Sequence, residues 1–180
     1  LLITAGAVFG TRFAHREKIL PGAATGNLIV NDNNIDLRCK NPEKTLGQGV
    51  FFLWTWGATI EIEHNRIRNV SRNPIETLDN YLDEEGKGSV LIAENNIVTP
   101  PKGIPWPSPS TPSGIVVGWF FDPSGASDPS KNSKITVIRN YVQANGETAR
   151  GIASVADGTA ILGNRIEVKG GSKSSGITQY

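Results

Sequence analysis

The sequence contains few of the residues that build disulfides and metal centres. One cysteine, Cys39, occurs in 180 residues, so no intrachain disulfide can form. Two histidines, His15 and His64, are too few for a histidine-based zinc centre, and their spacing matches no metal-ligand motif. His64 directly precedes an asparagine in a turn-like context, and we expect it to be a turn residue and not a general base.

The chain also lacks a strong charge and a long apolar run. Its formal net charge is +1, which gives no strong attraction to nucleic acid or to an anionic membrane. No apolar stretch reaches the length of a membrane span. The first residues have neither a methionine nor a basic flank before their short apolar run, so they do not resemble a signal peptide. We therefore expect no nucleic-acid partner and no membrane span.

A short pattern, apolar-x-apolar-x-x-Asn-x-apolar, occurs five times, with Thr159 opening the last copy. The alternating apolar residues predict a short strand with one buried face. The asparagine is expected to end that strand, because asparagine tolerates left-handed backbone angles. If the copies stack, the side-chain amides can form a hydrogen-bonded ladder. The aligned asparagines are Asn33, Asn65, Asn95, Asn140 and Asn164.

A second repeated element lies between these copies. It consists of a glycine followed by residues that favour strands, and it begins at Gly49, Gly114, Gly151 and Gly176. In the remaining interval, Pro74 and the residues after it take this role without the glycine. Each unit therefore contains at least two short strands joined by turns, with no amphipathic helix between them. Parallel strands without a helical crossover require a chain that coils back over itself.

This repeat resembles the right-handed parallel β-helix of the pectin-lyase-like superfamily, over roughly residues 26–180. The resemblance implies an all-β solenoid of about five to six coils, forming a single domain over residues 1–180. The sequence stops inside what should be the next coil and shows no C-terminal cap. We therefore expect the chain to be part of a longer helix, with further coils beyond Tyr180 as partners.

Unequal unit lengths predict loop insertions at about 71–87, 99–113 and 122–134. The first is rich in carboxylates, which suit either a solvated acidic loop or a site for Ca²⁺ or substrate. The second carries six prolines and presents Trp106, either as a cover for a strand end or as a platform for a sugar ring. The third, polar and rich in turn residues, is expected to be a plain surface loop.

The resemblance also implies a chemistry. Enzymes of this group are polysaccharide lyases, hydrolases and epimerases; the lyases use an Arg or Lys base, often with Ca²⁺, and the hydrolases use paired acids. Ca²⁺ is thus the one cofactor that the resemblance suggests. The candidate residues are Glu76, Asp79 and Arg150 for catalysis, Asp79 and Asp83 for the metal, and Trp106, Phe51 and Trp119 for substrate binding.

Two functions remain open from the sequence. The first is an extracellular or cell-surface protein that binds or processes an acidic polysaccharide, as lyase, hydrolase or binder. It predicts that Phe51, Glu76, Asp79, Trp106 and Arg150 share one exposed groove. The second is a non-catalytic structural or adhesin-type β-helix, which predicts buried aromatic residues and scattered acidic ones.

Overall fold

The computed structural model describes residues 8–9, 14–15, 18–19, 26–37, 48–100, 113–118, 133–146, 148–155 and 158–179. These residues form strands and connections and contain no helix. In particular, none of them forms a helix of the length and apolarity needed to span a membrane. The predicted residues Cys39, Trp106 and Trp119 lie outside the described part of the chain.

Three parallel sheets contain all but two of the eighteen strands in the described residues. Sheet A contains β1 (Val8–Phe9), β6 (Val50–Trp56), β9 (Ile75–Tyr81), β12 (Ser113–Gly118), β15 (Arg150–Val155) and β18 (Ser175–Gln179). Sheet B contains β4 (Asn27–Asn31), β7 (Thr59–Glu63), β10 (Ser89–Ala93), β13 (Lys134–Ile138) and β16 (Ala160–Leu162). Sheet C contains β5 (Asn34–Asp36), β8 (Arg66–Arg68), β11 (Asn96–Val98), β14 (Tyr141–Asn145) and β17 (Arg165–Lys169). The last two strands, β2 (Ala14–His15) and β3 (Lys18–Ile19), form an antiparallel pair.

The chain visits the three sheets in a fixed order, and this order makes it a parallel β-helix. Each coil passes through a strand of sheet A, then of sheet B, then of sheet C, before the next strand of sheet A begins. Every strand therefore pairs with its equivalent in the coil before and the coil after, with parallel register. The all-β solenoid predicted from the repeat is confirmed.

The core lies inside the coils and consists of stacked apolar rows. Sheet B contributes the row Ile62, Ile92 and Val137, whose members are 0% exposed. Equivalent rows run through sheet C at Ile67 and sheet A at Ile75. Burying one such side chain contributes about 1.5–3 kcal/mol, so the rows supply the main apolar stabilisation.

The glycine-led element has the predicted alignment. Val50 pairs with Ile75 and Ile75 with Ile115, so Pro74 stands where Gly49 and Gly114 stand in the neighbouring coils. At the equivalent Gly151, an added Cβ would collide with Ile166 Cγ2 and with a backbone oxygen of the next coil. The glycine is therefore required by close packing at the start of the strand.

The asparagine ladder is confirmed. Each side-chain Nδ2 donates to the Oδ1 of the next asparagine at 2.9–3.0 Å, in four successive steps from Asn33 to Asn164. The same Oδ1 accepts the backbone N–H of the preceding asparagine at 2.9–3.0 Å. The central members Asn65, Asn95 and Asn140 are 1% exposed, so their polar groups depend on these bonds.

The left-handed residue of this corner lies one position earlier than predicted. The residue before each ladder asparagine has a φ between 52° and 59°, whereas none of the five asparagines has a positive φ. The sequence placed the reversal on the asparagine itself, which is wrong. Four different residue types and one glycine occupy the left-handed row: Asp32, His64, Glu94, Arg139 and Gly163.

The connections differ sharply between the corners. Sheet B joins sheet C through two residues in every coil: 32–33, 64–65, 94–95, 139–140 and 163–164. Among the connections of sheet A that are described throughout, the length varies from two residues at 57–58 to seven at 82–88. Within the predicted insertion at 71–87, strand β9 occupies Ile75–Tyr81, and the connection that follows is 82–88.

Replacing Asn95 by alanine should destabilise the fold strongly. The change removes the acceptor for both the backbone N–H and the Nδ2 of Asn65, and it leaves the Oδ1 of Asn140 with the backbone N–H of residue 95 but without the Nδ2 donor. We expect a loss of roughly 2–4 kcal/mol in the free energy of unfolding, measured by chemical denaturation. Asn96→Ala, at the exposed neighbouring position, is the control and should change it by less than about 0.5 kcal/mol. Equal effects would mean that the ladder does not stabilise the stack.

Gly163 offers a test of the left-handed row. An added Cβ would meet only Arg139 Cγ, at 3.7 Å, so Gly163→Ala changes the backbone preference and not the packing. Because φ is 59°, we expect a destabilisation of about 1 kcal/mol by chemical denaturation. Gly163→Asn should recover part of this loss. If alanine is tolerated as well as glycine, the left-handed conformation of this row is wrong.

Candidate functional site

The predicted site residues that the structure describes lie on or next to sheet A. Glu76 and Asp79 belong to β9, Phe51 to β6, and Arg150 begins β15. Asp83 lies in the connection after β9. Sheet A therefore collects the described candidates.

Phe51 and Glu76 are direct neighbours in the sheet. Phe51 pairs with Glu76, and Glu76 pairs with Val116, so the three form one row across adjacent coils. Ile75 and Thr77, which flank Glu76 in β9, are completely buried, and Ile75 belongs to the apolar core. Phe51 is half-buried, but Glu76 is only 4% exposed. The predicted exposed groove is therefore not open at this carboxylate.

The Glu76 carboxylate is held by side chains from two coils. Its Oε2 accepts hydrogen bonds from Asn73 Nδ2 at 3.0 Å and from Gln48 Nε2, and its Oε1 lies 4.0 Å from an Arg72 nitrogen. Asn73 in turn accepts the backbone N–H of Ser113, in the following coil, at 3.1 Å. Glu76 thus belongs to a buried polar cluster that ties three coils together at the start of sheet A.

Asp79 has an unusual backbone. It is 1% exposed and has a φ of 53° within a strand, a conformation that costs a non-glycine residue about 1–2 kcal/mol. Its Oδ1 accepts a hydrogen bond from the Tyr81 hydroxyl at 3.3 Å. Backbone strain of this kind is common at functional sites, so Asp79 stays a candidate.

An aromatic pair lies close to Asp79 in sequence, at the C-terminal ends of strands β6 and β9. Trp56 pairs with Tyr81 in the register, and their rings are 6.4 Å apart, tilted by 50°. Both residues are half-buried. This pair was not predicted from the sequence, although the alignment of Gly49 with Pro74 brings Trp56 and Tyr81 into the same row.

Asp83 shapes the connection that follows. Its Oδ1 accepts the backbone N–H groups of Glu85 at 3.0 Å and Lys87 at 2.8 Å. Its carboxylate lies against Gly57, the residue after Trp56, where an added Cβ would be 2.7 Å from Oδ2. Gly57 N–H also donates to the Tyr81 carbonyl oxygen at 2.9 Å. Asp83 is thus part of the same corner as the aromatic pair.

Arg150 does not join Glu76. Strand β12 lies between their strands, and Glu76 lies in the row of Ala153, three positions after Arg150, so their Cα atoms are more than two strand spacings, about 10 Å, apart. Arg150 pairs with Ser113 and is half-buried at the start of β15. The predicted catalytic residues therefore share a sheet without forming one compact cluster.

The metal prediction stays a prediction. Within the described ranges, no three side chains of His, Cys, Asp or Glu form a group that could hold a metal ion. Asp79 binds the Tyr81 hydroxyl and Asp83 binds backbone N–H groups. A Ca²⁺ ion at these two residues would need further oxygen ligands.

His64 lies away from sheet A, at the corner between sheets B and C. Its Nε2 is 3.1 Å from Glu94 Oε2, and Arg139 binds the other oxygen of Glu94 at 2.7 Å. The hydrogen bond and charge of Arg139 hold the pKa of Glu94 below its usual value. This exposed row links three coils and agrees with the expected turn position of His64.

Comparisons with known proteins give no match. No family model fits the chain, and no curated protein or solved structure matches it significantly. The parallel β-helix therefore rests on the repeat and on the strand topology.

Glu76→Ala tests whether this carboxylate is structural. The change leaves the half-buried amide of Gln48, the buried amide of Asn73 and the nearby Arg72 without this acceptor. We expect a loss of roughly 2–4 kcal/mol in the free energy of unfolding, measured by denaturant titration. Glu84→Ala, an exposed neighbour, should have little effect. A stable Glu76→Ala protein that had lost a ligand would instead assign Glu76 to the ligand.

Proposed function

We propose that this chain is a polysaccharide-binding β-helix, related to the pectin-lyase-like superfamily and acting outside the cell or on its surface. Its site is the aromatic and polar surface of sheet A and the connections that flank it. The ligand is an acidic polysaccharide.

The main support for a binding face at sheet A comes from the lengths of the connections between the strands. The corner between sheets B and C has two residues in every coil, whereas the fully described connections bordering sheet A vary from two to seven. Solenoid insertions often collect on the face that binds a ligand. The long connections therefore favour sheet A as the binding face.

The side chains at the C-terminal ends of β6 and β9 suit the binding of a sugar. The half-buried rings of Trp56 and Tyr81 offer apolar surface for the C–H face of a sugar ring. Asp83 lies beside them, is half-buried and can accept hydrogen bonds from hydroxyl groups. A few polar groups placed around apolar surface are typical of small-molecule sites.

Cations lie at the opposite end of the strands. Arg72 precedes β9 and Arg150 begins β15, and both are half-buried. Arginine suits carboxylate recognition because its planar group can donate two parallel hydrogen bonds. The arginines at the N-terminal ends of these strands favour an acidic ligand.

The observed contacts favour binding over catalysis. Glu76 is buried and hydrogen-bonded to amides, and Arg150 is more than about 10 Å away across the sheet. A lyase would still be detected by a rise in ultraviolet absorbance from unsaturated uronate products, with and without Ca²⁺. Such a rise on pectate, alginate or a glycosaminoglycan would replace binding by catalysis.

One observation favours the alternative of a non-catalytic structural or adhesin-type module. The carboxylates of Glu76 and Asp83 both accept hydrogen bonds from neighbouring chain segments, so these two acidic residues stabilise the fold. Under this alternative no polysaccharide binds at Trp56 and Tyr81.

Trp56→Ala separates the two functions. Because the indole supplies apolar surface for the sugar, we expect the variant to bind polysaccharide at least about tenfold more weakly in isothermal titration calorimetry. Tyr141→Ala removes a half-buried aromatic residue from sheet C and is the matched control, with unchanged affinity expected. If the unchanged protein binds none of a broad polysaccharide panel, the structural module is the better account.

A further inference from the structure

The strands of sheet C carry more cations than anions. The cations are Arg66, Arg68, Arg165 and Lys169, and the carboxylates are Asp36 and Glu167. Glu167 is hydrogen-bonded to Arg165 at 2.7 Å on the last strand, β17. This strand lies three strand spacings, about 14 Å, from β8. The two arginines of β8 therefore have Asp36 as the one carboxylate near them in this sheet.

Arg66 is the centre of an exposed row of donors. Among the described arginines it is the one whose side chain has no hydrogen bond or ion pair. Asn34 and Asn96 pair with it in the register, one in the coil before and one in the coil after, and all three residues are exposed. Three planar groups that can donate hydrogen bonds thus stand side by side on adjacent coils.

Arg68 lies on the same side of β8, two residues further on, about 7 Å along the strand. Its Nη2 is 3.7 Å from Asp36 Oδ2, which is beyond hydrogen-bonding distance. Asp36 instead accepts a hydrogen bond from Asn69 Nδ2 at 2.7 Å. The Nε of Arg68 is buried and donates to no group in the described residues. The fold therefore leaves this guanidinium short of acceptors beside Arg66.

We infer that Arg66 and Arg68, with Asn34 and Asn96 beside them, form a second binding site of this chain, for the carboxylate of a uronate unit. A guanidinium donates two parallel hydrogen bonds to a carboxylate, and an ammonium does not reproduce this geometry. The flanking amides supply donors for the neighbouring sugar oxygens. The inference rests on the proposed function for its ligand, and it places part of the recognition on sheet C.

The experiment isolates this site in the full chain by using Trp56→Ala as the background. A short uronate oligomer and a neutral oligomer of equal length are compared by isothermal titration calorimetry at physiological ionic strength. We expect residual binding of the uronate oligomer alone, at least about tenfold weaker than to the unchanged protein. Adding Arg66→Gln and Arg68→Gln should weaken it at least about tenfold further, and Arg66→Lys, which retains the charge, should weaken it less.

Two controls separate a defined site from general charge and from unfolding. Arg165→Gln removes a cation from the same sheet, about 14 Å away, and should leave the residual binding unchanged. An equal loss in Arg165→Gln would mean that general charge attracts the oligomer, and this overturns the site. Arg66→Gln should also leave the midpoint of chemical denaturation unchanged, because its side chain has no partner to lose.

The remaining outcomes distinguish this inference from the proposed function. Uronate binding that disappears completely in Trp56→Ala overturns the inference and keeps the binding face at sheet A. Binding that is unchanged in Trp56→Ala but lost with the two arginines overturns sheet A as the binding face and keeps the inference. No binding of the uronate oligomer to the unchanged protein overturns both.

Discussion

Amide hydrogen bonding along the axis of the stack determines which residues of successive coils stand in register. Each of the three central ladder asparagines uses its Oδ1 for two donors of the preceding coil, and its Nδ2 donates to the amide oxygen of the following coil. A shift of one residue would break these bonds and turn the apolar rows of sheet B outward. Because Asn65, Asn95 and Asn140 are buried, such broken bonds could not be replaced by water. The apolar core therefore depends on the ladder for its alignment.

A corner that must preserve this alignment cannot change its length. The two-residue connection between sheets B and C places one left-handed residue before each asparagine, and a longer connection would move the amide out of the row. Where the structure describes the corners around sheet A, they show no such ladder, although Glu76 and Asn73 tie three coils together at the start of this sheet. Variation is therefore tolerated around sheet A, where the aromatic pair and the charged groups also lie. Under the proposed function, the corner that fixes the alignment and the surface that binds the ligand lie on different sides of each coil.

The repeat made the fold predictable, whereas contacts between residues that belong to no repeated pattern could not be predicted. Five copies of the asparagine pattern determine the coil, the ladder and the alignment of Gly49 with Pro74 and Gly114. The burial of Glu76 depends on Gln48 and Asn73, which belong to no repeated pattern, so the sequence suggested an accessible acid. Tyr81 was overlooked because it occurs once and is selected only through its pairing with Trp56. Pairwise contacts between single residues of neighbouring coils leave no periodic signal.

The acidic residues of β9 show why a concentration of carboxylates is weak evidence for catalysis in a solenoid. A coil must satisfy its buried backbone and amide donors, and carboxylates are efficient acceptors for this purpose. Glu76 accepts two amides and Asp83 accepts two backbone N–H groups. Asp79 differs, since it combines a left-handed backbone with a bond to the Tyr81 hydroxyl beside Trp56. Its strain is not needed to turn the chain, because β9 continues for two residues beyond it. Because Asp79 is 1% exposed and accepts the Tyr81 hydroxyl, its left-handed backbone places a carboxylate inside the fold and not on an open surface.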